Sequence, residues 1–66
     1  MNISYATFSK TQEIVGENID ALFTGLPIFN LNRKRESTNI ELIDESIAAL
    51  EVMKKYYEQE QEEQHE

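Results

Sequence analysis

The sequence predicts a small α+β domain in the order strand, helix, β-hairpin, helix (β-α-β-β-α), closing in an acidic helical tail. Three observations predict it. Apolar residues from Ile14 to Phe23 recur at helical spacing. Two short runs, around Phe29 and Leu31 and around Ile40 and Leu42, alternate apolar with polar residues on either side of a polar stretch. Beyond Asp44 the helical spacing returns and carboxylates accumulate.

Each element follows from local chemistry. Residues 1–7 alternate Ile3 and Tyr5 with Asn2 and Ser4, a strand pattern. Ser9-Lys-Thr-Gln12 has the form of a capping box, with the serine hydroxyl placed to bond the amide three residues on. Ile14, Val15, Ile19, Leu22 and Phe23 then make an apolar face. Gly16 interrupts this run, which fits one bent helix or two short ones. Thr24-Gly25-Leu26-Pro27 ends it, because glycine suits a left-handed C-terminal position and proline cannot continue the ladder. Pro27 opens the next strand, the polar residues 32–37 read as the turn, with a loop of three to five residues within them, and residues 39–43 form the last strand. Asp44 is placed to cap the final helix. Thr38-Asn-Ile-Glu41 also fits a capping box, which would start that helix near Asn39 and remove the strand; the alternation and the β-branched Ile40 favour the strand.

The final helix carries two apolar stripes. Ile47, Leu50, Met53 and Tyr57 form one, while Ala49, Val52 and Tyr56 lie on another side. One stripe suffices for a core, so the second is either a partner surface or a set of tyrosines that the solvent-facing side simply tolerates.

The chain has 66 residues, with a formal net charge of −7. A domain of this size buries only about 60% of its unfolded surface and needs an addition to its core. There is no cysteine, and the one histidine, His65, sits in the tail, so neither a disulfide nor a histidine-rich metal site supplies it. Association does, as a homodimer or with a foreign partner. Residues 1–43 hold five acids and four bases; residues 44–66 hold eight acids and two bases. The back half therefore repels nucleic acid and attracts basic protein. No run approaches the ~18 apolar residues of a membrane span, and residues 1–10 lack the basic start and apolar stretch of a signal peptide, which leaves the cytoplasm as the expected compartment.

Three segments together resemble the Phd/YefM family of type II antitoxins. ISYATFSK (residues 3–10) is similar to the opening strand and helix start of that family. PIFNLNRKR (residues 27–35) is similar to its central strand and Arg-rich turn. NIELIDESIAALE (residues 39–51) is similar to its following strand and acidic helix. The sequence departs from the family in having Lys10 where an arginine is common, and in lacking the customary hairpin glycine. The resemblance implies a dimerisation and DNA-contact domain at residues 1–44 and an acidic toxin-binding segment at residues 45–66. It implies that the segment neutralises a small toxin, a ribosome-dependent RNase of the YoeB/RelE kind or a Doc-like enzyme, and that the dimer represses its own operon.

Under this reading Lys10, Arg33, Lys34 and Arg35 touch operator phosphates, which supply affinity and position. A basic turn that keeps a sheet edge soluble is the plainer alternative. Leu50, Val52, Met53, Tyr56 and Tyr57 are the toxin anchors, with the tail charge speeding encounter. Catalysis is not expected: there is no cysteine, no Gly-rich phosphate loop and no pocket-forming chain around the carboxylates, and no cofactor is implied. A phage head–tail adaptor, or a phage-encoded decoy inhibitor, is the competing reading of the same element order.

Overall fold

The computed structural model describes residues 2–64. Helix α1 spans Tyr5–Thr24, strand β1 is Phe29–Asn30, strand β2 is Arg35–Glu36, and helix α2 spans Asn39–Gln64. The two helices lie antiparallel against each other, and the two-stranded sheet is the connector between them. The expected β-α-β-β-α, Phd/YefM-like arrangement is therefore replaced by a helical hairpin of order α-β-β-α.

Two predicted strands are helix instead. At the start, Ser4 caps α1: its Oγ accepts the Thr7 N–H at 3.2 Å, and its carbonyl accepts the Phe8 N–H at 3.0 Å. Helix begins four residues before the Ser9 capping box, which lies inside it. No strand flanks residues 2–7, so an extended segment there would leave its N–H and C=O groups without a ladder. As a first helical turn they are satisfied, and Tyr5 and Phe8 come onto neighbouring positions, with ring centroids 6.1 Å apart.

At the second site the capping box prevails over the alternation. The Glu41 N–H donates to Thr38 Oγ1 at 3.1 Å, and the Thr38 N–H donates to Glu41 Oε1 at 2.8 Å. Both reciprocal bonds of the motif are made. Strand geometry would put Ile40 and Leu42 on one face; in the helix they diverge, with Leu42 3% and Ile40 72% exposed. Asp44 is an internal residue of α2, and the expected domain boundary after it falls within the helix.

The hairpin is short. Phe29 pairs with Glu36 and Asn30 with Arg35, and the Ser37 N–H donates to the Ile28 carbonyl at 2.8 Å. Residues 31–34 form its turn, where Asn30 Oδ1 accepts the Arg33 N–H at 2.9 Å and Lys34 stands at φ 57°. The end of α1 is as expected: Gly25 is left-handed at φ 76°, and its N–H donates to the Ala21 carbonyl at 2.8 Å. Gly16 sits within one continuous helix.

The seam between the helices is thin. Phe8, Ala21, Leu42 and Ala49 are its buried apolar residues, interleaved with buried Thr11, Asn18 and Ser46. The polar members are satisfied on backbone: Thr11 donates to the Phe8 carbonyl, and Ser46 and Asn18 both donate to the Leu42 carbonyl, at 2.7 and 3.3 Å. Asn18 ties α1 to α2 at one register, because a slip would strand its amide. At the open end Phe8 stacks on Tyr56 with centroids 4.1 Å apart and meets Tyr57 edge-on at 5.3 Å. Beyond that, Gln59 clamps the backbone of Ile3, accepting its N–H at 2.8 Å and donating to its carbonyl at 2.7 Å.

Candidate functional site

The basic cluster at the turn is drawn back onto the protein. Arg35 grips Glu41 with two parallel bonds, Nη1 to Oε1 and Nη2 to Oε2, both at 2.8 Å. Arg33 Nε lies 3.1 Å from Glu41 Oε2, and its Nη1 lies 3.3 Å from Glu45 Oε1. Glu41 thus serves the helix cap and two guanidinium groups. The Arg35 fork, first, and the Thr38 N–H, second, hold its carboxyl down at about 2. The bond to Glu41 raises Arg35 in turn. Among the described residues Lys34 has no ion-pair partner.

Lys10 stands apart. It faces Glu13 at 3.8 Å on the second turn of α1, 14 residues before the end of that helix at Thr24, or roughly 20 Å along the axis. The four residues expected to touch phosphate therefore lie at separate parts of the hairpin, and two of them spend their charge on Glu41 and Glu45.

The five expected anchor residues divide three ways. Tyr56 and Met53 are half-buried, Tyr56 against Phe8. Leu50 and Tyr57 are exposed. Val52, half-buried, lines two grooves along the helix pair. One, of about 360 Å³, runs between Ile14, Glu17 and Asn18 of α1 and Glu45 and Ala48 of α2. The other, of about 640 Å³, lies at the open end, where Ile3 and Thr7 face Lys55, Glu58 and Gln59. Past Gln59, α2 continues to Gln64, some 7 Å beyond its clamp on Ile3. The open end therefore combines a mainly polar groove, in which Ile3 and Val52 are the apolar members and Lys55 stands beside Glu58, with a protruding helix.

α2 does carry two apolar stripes, but they are sorted differently from the expectation. Leu42, Ala49, Met53 and Tyr56 turn toward α1, while Ile40, Ile43, Ile47 and Leu50 face away; Tyr57, half exposed, sits at the border with its edge against Phe8. Ile40 and Ile43 were missed because they were assigned to a strand. Their alternating spacing of three and four with Ile47 and Leu50 was the available signal. The Gln59 clamp was missed too, and no local pattern announces it. Among the described residues no group of histidines and carboxylates could hold a metal ion, and no helix is long and apolar enough to cross a membrane. His65 lies outside the described residues.

No protein-family model matches this chain, and neither does any curated protein or solved structure.

Proposed function

We propose that this chain is a non-catalytic inhibitor that neutralises a basic protein through the open end of its helical hairpin, in the manner of a type II antitoxin acting on a small cationic toxin. The fold resemblance no longer contributes to this reading. What supports it is the end of α2, where the groove beside Val52 and Glu58 adjoins a projecting acidic helix. Carboxylates that accumulate along the last turns of α2, against the single base Lys55 in the groove, suit a lysine- or arginine-rich surface, such as that of a nuclease that must hold RNA. A cytoplasmic setting goes with such a partner. The pairing of Arg33 and Arg35 with Glu41 and Glu45 weighs against operator contact, which would have to break those bonds or rely on Lys34 and Lys10.

The test is co-expression with the product of the adjacent reading frame, followed by purification, growth rescue and binding kinetics. Truncation after Gln59 removes the acidic projection but keeps the Phe8 cluster and the Ile3 clamp. It should slow association several-fold and flatten its salt dependence, since rim charge acts mainly on encounter. Glu58→Lys should add to that loss. Undiminished binding and full rescue by the truncated Glu58→Lys chain would sink this proposal.

A further inference from the structure

The hairpin hides its weaker seam and exposes its stronger one. Inside, Phe8 and Leu42 are joined by two alanines and by polar Thr11, Asn18 and Ser46; outside, α2 shows Ile40, Ile43, Ile47, Leu50 and the exposed half of Tyr57, whose edge meets Phe8. With Lys54 these positions follow a strict three-four spacing over 18 residues, the a/d pattern of a coiled-coil seam. Stepping both antiparallel helices at 3.6 residues per turn from their buried stripes brings Tyr5, Ile19 and Phe23 of α1 to this same side. Glu17, Ala48 and Val52 fall on the opposite side, where they line their groove. The face thus spans both helices, and no carboxylate interrupts the α2 seam.

We infer that a second copy of this chain covers the face, with the two α2 helices packed antiparallel. The area is right for it. At about 200 Å² per fully exposed side chain of this size, the eight apolar residues present on the order of 900 Å², against about 800 Å² per partner in a standard interface. Charge sets the direction. Parallel packing would bring two acidic C-terminal ends together, whereas antiparallel packing separates them and places each toward the turn end, where Lys34 is the base without an ion-pair partner among the described residues. The spacing then matches a positions to d positions across the axis: Ile40 with the second copy's Tyr57, Ile43 with its Lys54, and Ile47 with its Leu50. The inference does not rest on the inhibitor reading, whose groove and acidic projection lie outside this seam.

Sedimentation of the full chain over a wide concentration range should give twice the 7.7 kDa monomer mass at the upper end. Ile47→Asp should raise the dimer dissociation constant by about 30-fold or more. Ile47 is half exposed in the monomer, so circular dichroism should show the helices retained. Lys54→Leu should do the opposite and tighten the dimer, a gain that misfolding could not mimic. Because the chain has no cysteine, Ile40→Cys mixed with Tyr57→Cys should form an interchain disulfide that Ile40→Cys alone does not. A monomer at every concentration, an unchanged mass for Ile47→Asp, or crosslinking of Ile40→Cys with itself would each overturn the inference.

Discussion

Lys34 adopts a backbone conformation that an L-residue reaches only at a cost, φ 57° in the turn between β1 and β2. Glycine pays no Cβ penalty there. Lys34→Gly should therefore raise stability by about 0.5–1 kcal/mol, after allowing for the freer unfolded chain, and thermal melts would show it. A lower melting temperature would mean that the lysine makes up its strain by other means. Glu41 is the second residue on which much converges. Its carboxyl is held down at about 2 from an ordinary 4.5, so the folded state favours its charged form. The stabilisation is present above 4.5 and is lost as the pH falls toward 2. Glu41→Gln should be less stable than the parent at neutral pH, and the gap should close across that window. Comparing denaturation midpoints of the two chains at each pH cancels the other carboxylates. A gap that stayed constant to low pH would show that the Arg35 fork and the cap contribute nothing through charge.

At the scale of elements, the helix ends are governed by side chains that satisfy orphan N–H groups, and the two glycines of α1 separate helix interior from helix stop. A methyl built on Gly16 meets nothing within 4 Å, and the position is helical and exposed. Gly16→Ala should stabilise by about 0.5–1 kcal/mol. Gly25 is equally unobstructed, but its φ of 76° belongs to the left-handed cap. Gly25→Ala should destabilise by about 1 kcal/mol. Opposite signs from the same substitution, read by urea denaturation, check the continuity of α1; a loss at Gly16 would place a break there. Thr38→Ala removes one half of the α2 capping box and should cost about 1 kcal/mol. These signals were all present in the sequence. The Gly25 stop was read correctly; the start of α2 was not, because a four-residue alternation was weighed above a cap whose two bonds the structure makes together.

For the whole molecule, cohesion is concentrated at the open end. Phe8 joins Tyr56, Tyr57 and Tyr5, and few other large side chains are buried. Phe8→Ala should cost about 3–5 kcal/mol, enough to unfold a chain of this size at room temperature. Tyr56→Ala should also loosen the hairpin, so loss of partner binding by that variant would not identify a binding residue. Retention of full helicity by Phe8→Ala would place the core elsewhere.

The sequence by itself determined the helical core of α1, its stop at Gly25, a polar turn rich in bases, and a long acidic amphipathic helix at the back. Each of these is written in spacing or caps that act within a few residues. The helical start at residues 39–43 was also written locally, in the cap that joins Thr38 to Glu41; tertiary structure alone decided which stripe of α2 faces α1 and what Phe8, Asn18 and Gln59 touch. The reason is that these contacts depend on what comes alongside from a distant part of the chain. Phe8 selects Tyr56 as an inward residue across nearly fifty positions, Gln59 finds Ile3 across 56, and Asn18 fixes the register on Leu42. Which of two equally apolar faces is buried depends on such long-range fits, and local periodicity has no access to them.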